Sequence, residues 1–134
     1  MEQSDCPYTM LSVELTQGRK GTVRALFDLR NGIMKWQETN RWNRNFTRSL
    51  SDRDVQRLQE MILCCQIPQW QPYFPDRSRV EAEQLCHVRW ELSLFKDDVE
   101  PELHFEGCDD FPPSFGHLRD VLTLVIRQPF QVLD

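Results

Sequence analysis

The sequence contains no hydrophobic run long enough for a membrane-spanning helix, which requires about 18 consecutive apolar residues. Its first seven residues, Met-Glu-Gln-Ser-Asp-Cys-Pro, contain neither the basic end nor the apolar run of a secretory signal. These two absences predict a cytoplasmic protein without a membrane partner. Glycine is also scarce, with 5 residues in 134, whereas 40% of the residues are hydrophobic, which is typical of a globular chain. We therefore expect a single domain over residues 1–134.

The familiar catalytic motifs are absent as well. There is no Gly-x-Ser-x-Gly elbow, no Gly-rich phosphate loop, no His-Glu-x-x-His and no Cys-x-x-Cys. The signatures of acyl transfer, nucleotide binding and zinc hydrolysis are therefore missing, and we predict a protein that is not an enzyme and uses neither a cofactor nor a metal.

The five cysteines form a poor disulfide framework, because their number is odd, their spacing is uneven and two of them are adjacent. This pattern predicts free thiols in a reducing compartment. Cys86 and His87 with His104 and Cys108 would offer suitable zinc ligands, but their spacing differs from that of structural zinc sites. Cys86 alternates with Trp90 and Leu92 on one strand face, which favours a buried structural cysteine.

Basic residues do not outnumber acidic ones, since the formal net charge is −5. This balance argues against direct nucleic-acid binding, which needs clustered cations. The charge is nevertheless uneven. Seven acidic residues lie within the 14 positions from Asp97 to Asp110, which contain no Lys or Arg, whereas five arginines lie between Arg41 and Arg57. The candidate partner-binding residues are Asp97, Asp98, Glu100, Asp109 and Asp110 of the acidic run and Arg41, Trp42, Arg44 and Arg48 of an Arg/Trp loop.

Each charged segment also has a plainer interpretation. The acidic run is typical of a solvated turn followed by the wet face of a hairpin. In the Arg/Trp loop, Trp42 and Phe46 are able to anchor the loop to the core while its arginines pair with nearby acids. Both interpretations stay open at the level of sequence.

Alternation of apolar and polar residues predicts the strands. Residues 11–15 and 23–29 alternate with period two, and Asn31-Gly32 supplies a turn before residues 33–37. The alternation is clearest at residues 86–94, and Leu103 with Phe105 continues it after a turn. These segments predict about five strands of an antiparallel sheet.

Two helices are expected. Ser51 followed by Asp52 and Asp54 is a good helix start, and Val55, Leu58, Ile62 and Cys65 then recur at helical spacing. A second stripe is formed by Phe115, Leu118, Leu122 and Val125 after Pro113 or Ser114. The predicted fold is therefore α+β, in the order β-β-β-α-β-β-α, with both helices on one face of the sheet.

One pattern in the last third of the chain carries a resemblance. Trp90-Glu91-Leu92, a short hairpin, then Gly107 and Pro112 before a helix resembles small uncharacterised bacterial α+β domains with Trp-x-Leu and Gly-x-x-x-x-Pro before the last helix. Where such domains tend to have Ser-Asn after the glycine, this chain has Cys108-Asp109. The resemblance implies a fold, and it implies no activity.

The favoured function is therefore non-catalytic binding of a macromolecule. The acidic run predicts a protein partner with a basic surface, as expected for an inhibitor of a basic, nucleic-acid-binding target, such as an immunity-type or anti-defence protein. A first alternative places His87 and His104, with Glu91 or Glu106, around a small-molecule pocket as acid and base. A second alternative is a structural subunit that self-associates through Trp42 and Trp70. The sequence leaves the oligomeric state open.

Overall fold

The computed structural model describes residues 6–18, 20–39, 44–74, 87–97, 99–127 and 130. Within them the chain forms seven strands and two α-helices, with one short 3₁₀ turn over Ile67–Gln69. The strands are β1 (Met10–Gln17), β2 (Gly21–Asp28), β3 (Ile33–Thr39), β4 (Arg44–Ser49), β5 (Tyr73–Phe74), β6 (Val88–Phe95) and β7 (Leu103–Cys108), and the helices are α1 (Asp52–Cys64) and α2 (Phe115–Ile126).

All seven strands belong to one sheet, in the spatial order β4-β3-β2-β1-β6-β7-β5. From β4 to β7 in this order, each strand pairs with its neighbours in the antiparallel direction. The two-residue β5 at the other edge pairs with β7 in parallel. The α+β class is confirmed, but the prediction of about five strands is wrong. β4 was expected to be a loop, and β5 lies in a proline-rich stretch whose composition hides so short a strand.

The core lies on one face of the sheet. Alternate residues of β1, β2, β3, β6 and β7 are buried on this inner face and form one cluster with both helices, as expected, whereas β4 adds only the half-buried Phe46. Trp36 and Trp90, both fully buried, are the largest side chains of this cluster. Since the helices cover only this face, the opposite, outer face of the sheet carries the polar positions of each strand.

Both helices follow their sequence signals. Ser51 is the N-cap of α1: its side chain accepts from the backbone N–H of Asp54, whose carboxylate accepts in return from the backbone N–H of Ser51. The predicted stripe of α2 is confirmed, because Phe115, Leu118, Leu122 and Val125 are all buried. The last turn of α2 ends at Arg127, which adopts a left-handed backbone with φ of 69°.

The predicted Asn31-Gly32 turn forms between β2 and β3. Of its two residues only Gly32 has positive φ, 66°, and the Gly32 N–H donates to the carbonyl oxygen of Asp28. The Asp28 carboxylate accepts from the backbone N–H groups of Arg30 and Asn31. Burial raises the pKa of Asp28, but these hydrogen bonds outweigh burial and leave it below its usual value.

The cysteine prediction is wrong in one respect. Cys6, Cys64 and Cys65 form no disulfide, as expected, but Cys108 at the end of β7 is disulfide-bonded. The prediction for Cys86 concerns a residue outside the described part of the chain. Because disulfides are rare in reducing compartments, the cysteine content no longer supports a cytoplasmic location, which stays a prediction.

Candidate binding surfaces

Two residues of the motif in the last third of the chain, Trp90 and Gly107, pack against each other inside the fold. Trp90 on β6 lies opposite Gly107 on β7, and the indole Nε1 donates to the carbonyl oxygen of Asp110 at 2.7 Å. A Cβ on Gly107 would come closer than 3.0 Å to two atoms of the Trp90 indole and to that same oxygen. The indole also contacts the rings of Phe111 and Phe115. The glycine is therefore required because the indole covers its Cα.

Asp109, one of the predicted partner-binding residues, connects β7 back to β6. Its carboxylate accepts from the backbone N–H groups of Val88 at 2.8 Å and His87 at 3.1 Å, and its own N–H donates to the carbonyl oxygen of Val88. Asp109 has φ of 55°, a conformation that Asp tolerates better than most residues. The hydrogen bonds from Val88 and His87 hold the pKa of Asp109 below its usual value.

The acidic run is divided between the two ends of β7. Asp97 and Glu100 lie in the turn between β6 and β7, whereas Asp109 and Asp110 follow the far end of β7, roughly 20 Å away at about 3.4 Å of rise per residue. Asp98 lies outside the described residues. The run therefore does not form one continuous patch, because a strand separates its two halves.

The turn between β6 and β7 projects its side chains into solvent. We call Asp97 and residues 99–102 the hairpin tip. Val99 is 96% exposed, and Glu100 and Glu102 on either side of Pro101 are also exposed. Asp97 pairs with Arg30 of the β2–β3 turn, with its side chain 71% exposed. The tip thus presents an apolar side chain among carboxylates, and the signal for it in the sequence is a lone valine within the acidic turn.

The described arginines of the predicted Arg/Trp loop lie on the edge strand β4, on the inner side of the sheet. Arg44 pairs with Glu38 in register and Arg48 with Met34, and both of those β3 residues are buried. An Arg48 N–H donates to the carbonyl oxygen of Ile126 at the end of α2, and its guanidinium lies over the Phe46 ring.

Arg44 lies 3.5 Å from the carboxylate of Glu38, which is 1% exposed. These contacts attach β4 to the core, as in the plainer interpretation of this segment. Arg41 and Trp42 lie outside the described residues.

The described parts of the two charged segments are far apart. β4 is at one edge of the sheet, and β3, β2 and β1 separate it from the β6–β7 hairpin. Four strand spacings of about 4.8 Å place β4 roughly 19 Å from β6. The acidic hairpin and the described arginines of β4 therefore do not share one surface.

The outer face carries a row of carboxylates. Glu14 on β1 lies opposite Glu91 on β6, which lies opposite Glu106 on β7. Glu14 has a cation of its own, because Arg24 Nε and a second guanidinium nitrogen donate to it at 2.9 and 2.6 Å. Next to the row, His104 Nε2 lies 3.5 Å from Glu91 and 3.4 Å from Glu106. Sequence reasoning grouped His104 with His87 and with Glu91 or Glu106, and only the register shows which of them meet.

His87 and His104 do not share a pocket. His104 lies opposite Ser93, whereas His87 precedes the first residue of β6. The six residues between positions 93 and 87 correspond to roughly 20 Å along the strand. The pairing that the enzyme alternative requires is therefore absent from this arrangement.

A cavity of about 370 Å³ also opens on the outer face, and no histidine lines it. Its lining residues are Ser12, Arg24, Leu26, Lys35, Gln37 and Phe95.

Trp70, which was predicted for self-association, packs inward. Its ring contacts those of Trp90, Phe105 and Phe115, and its Nε1 donates to the carbonyl oxygen of Cys65 at 3.1 Å. This side chain therefore joins the 3₁₀ turn to the core, and the other tryptophan of that hypothesis, Trp42, lies outside the described residues.

No protein-family model matches the chain, and a search of the curated proteins finds no match either. The resemblance to small bacterial α+β domains therefore stays a prediction. Among the described residues, no helix has the length and apolar character needed to cross a membrane.

Proposed function

We propose that this protein is a non-catalytic domain that binds a basic protein partner through the hairpin tip. The observation that carries the proposal is the 96% exposure of Val99 among the carboxylates of the tip. An apolar anchor with a charged rim is the arrangement by which protein interfaces combine burial with electrostatic steering. Of the charged segments predicted for binding, the tip is the one that the described contacts leave most exposed.

The chemistry of the tip selects the class of partner. Its carboxylates repel a phosphate backbone, so the proposed partner is a protein and not a nucleic acid. A partner with a basic surface and a small apolar depression would satisfy both Glu100 and Val99. Such a surface is typical of nucleic-acid-binding proteins, and the finer proposal is an inhibitor of the immunity or anti-defence type that occupies this surface.

The test compares two variants with the same change in net charge. Glu100→Lys with Glu102→Lys reverses the charge at the hairpin tip, and the matched control, Glu60→Lys with Asp120→Lys, reverses two exposed residues on the helices. Asp109 is unsuitable for such a reversal, because its carboxylate holds the start of β6. Val99→Ser tests the apolar anchor separately.

The wild-type protein first captures partners from nuclease-treated lysate of its own cells, and the affinity of each purified partner is then measured for every variant. We expect one stoichiometric protein partner that binds the control like wild type and binds the hairpin-tip variant at least about tenfold more weakly, or about 1.4 kcal/mol. The loss should shrink at high salt, because exposed charges are screened. Equal affinity for both double variants, or capture of no protein at all, would refute the proposal.

A further inference from the structure

The cluster of Glu91, His104 and Glu106 has the composition and spacing of a transition-metal site. Its three ligand atoms lie within 4.8 Å of one another on the outer face of the sheet. Glu91 on β6 and Glu106 on β7 are directly opposite each other, and His104 lies two residues before Glu106 on the same face of β7. A rigid antiparallel pair therefore presents all three side chains, and no loop has to close around an ion.

The two distances from His104 Nε2 are close to the separation of two zinc ligands, and the ligand atoms of Glu91 and Glu106 lie within 4.8 Å of each other. With zinc–ligand bonds of about 2.0 Å, the ligand atoms at two corners of a tetrahedron are roughly 3.3 Å apart. His104 Nε2 lies 3.4 Å from Glu106 and 3.5 Å from Glu91, close to this value. A good N–H···O hydrogen bond is shorter, at about 2.9 Å.

The imidazole of His104 is oriented as a metal ligand requires. Its Nδ1 lies 2.8 Å from the hydroxyl oxygen of Ser93, the residue directly opposite on β6. When Nδ1–H donates to that oxygen, the lone pair of Nε2 faces the two carboxylates. This is the usual arrangement for metal-bound histidines, whose second nitrogen donates to a fixed polar group.

Repulsion within the row of Glu14, Glu91 and Glu106 also favours a bound cation. Glu91 is directly opposite a carboxylate on both neighbouring strands, and like charges in such positions are destabilising. Arg24 neutralises Glu14 at one end, and Arg89 approaches Glu106 to within 3.5 Å at the other. The central member, Glu91, lies beside His104. A divalent ion bound between them would offset the repulsion between the carboxylates.

We propose that Glu91, His104 and Glu106 bind one Zn²⁺ ion, with water as the fourth ligand on the open side. A nitrogen and two oxygens suit Zn²⁺, whereas Mg²⁺ and Ca²⁺ prefer oxygen ligands alone. This site goes beyond the proposed partner recognition and does not depend on it, because none of its ligands belongs to the hairpin tip.

The test uses untagged full-length protein, with Zn²⁺ and Co²⁺ as probes. Calorimetry should show saturable binding of one Zn²⁺ per chain, and Mg²⁺ should not compete. His104→Gln and Glu91→Gln should each weaken binding at least about tenfold, and Ser93→Ala, a positioning change, by about tenfold. These are surface substitutions of similar shape, and unchanged circular dichroism and melting of the metal-free variants would confirm that the fold is kept.

Two controls separate this site from other ligands. His117→Gln removes an exposed histidine of α2, and Cys64→Ser removes an exposed thiol at the end of α1, so neither should change the affinity for Zn²⁺. With Co²⁺, thiolate ligation gives a strong near-ultraviolet charge-transfer band, which we expect to be absent. Loss of binding in Cys64→Ser alone, full affinity in both His104→Gln and Glu91→Gln, or no saturable binding would each overturn the proposal.

Discussion

Replacing Gly107 by alanine directly tests the packing of the Trp90 indole against β7. Gly107 does not have positive φ, so alanine meets no backbone strain at this position. The added Cβ would instead come within 3.0 Å of the Trp90 indole and of the carbonyl oxygen of Asp110. We therefore expect a loss of folding stability from steric overlap with one side chain and one carbonyl group.

The magnitude follows from the ways in which the clash is relieved. Overpacking a well-filled core costs about 1–3 kcal/mol. If the indole moves away, its Nε1 loses the hydrogen bond to Asp110, and an unsatisfied buried donor adds about 1–3 kcal/mol. The two costs overlap, so we expect about 2–4 kcal/mol in the free energy of unfolding. In a domain of this size that corresponds to a fall of roughly 10 °C in melting temperature.

The assay is urea and thermal unfolding followed by tryptophan fluorescence, with Gly116→Ala as the matched control. A Cβ at position 116 would meet nothing within 4 Å, and in the first turn of α2 alanine should be neutral or stabilising by up to about 1 kcal/mol. If Gly107→Ala were as stable as wild type, the packing of the indole on Gly107 would be refuted.

The pKa values of Asp28 and Asp109 are lowered in the folded state, so their contribution to stability is present above the unfolded pKa of about 3.9 and is lost as the pH falls through the folded values. Asparagine tolerates positive φ, so Asp109→Asn should keep the local backbone while the free energy of unfolding falls less steeply with decreasing pH. An unchanged dependence of the free energy of unfolding on pH would contradict the lowered pKa of Asp109. Arg48→Ala should cost about 1 kcal/mol, because the carbonyl of Ile126 loses a charged donor at the end of α2. Arg57→Ala, which removes a surface pair with Asp54, should cost only about 0.3 kcal/mol in the same denaturation experiment.

The elements that could be predicted are those with a regular pattern. Alternation located β1, β2, β3, β6 and β7, and spacing of three or four residues located the buried stripe of α2. Ser51 marked the start of α1, because a hydroxyl at that position can satisfy an exposed amide of the first turn. In these segments the local preference and the tertiary burial agree, so the pattern alone is sufficient.

β4 could not be predicted because charged residues, and not only apolar ones, occupy its inner side. Arg44 and Arg48 occupy the inner side of the strand, where a core residue is expected, and serine and threonine follow on the outer side. At the edge of a sheet a guanidinium group can reach past the core to a carbonyl or a buried carboxylate. The acidic run misled for a related reason, since closeness in sequence is not closeness in space once a strand of six residues intervenes.

The Glu91, His104 and Glu106 cluster depends on register, which alternation does not specify. A shift of β7 by two residues against β6 would keep every apolar residue on the inner face and would place His104 opposite Glu91 or Phe95. Two contacts exclude such a shift, because Gly107 must lie under Trp90 and Asp109 must reach the N–H groups at the start of β6. The folding motif of the last third therefore also aligns the candidate metal ligands. This gives a further expectation for Gly107→Ala: if the clash displaces β7, affinity for Zn²⁺ should fall together with stability. In Gly116→Ala both should stay at or above the wild-type level.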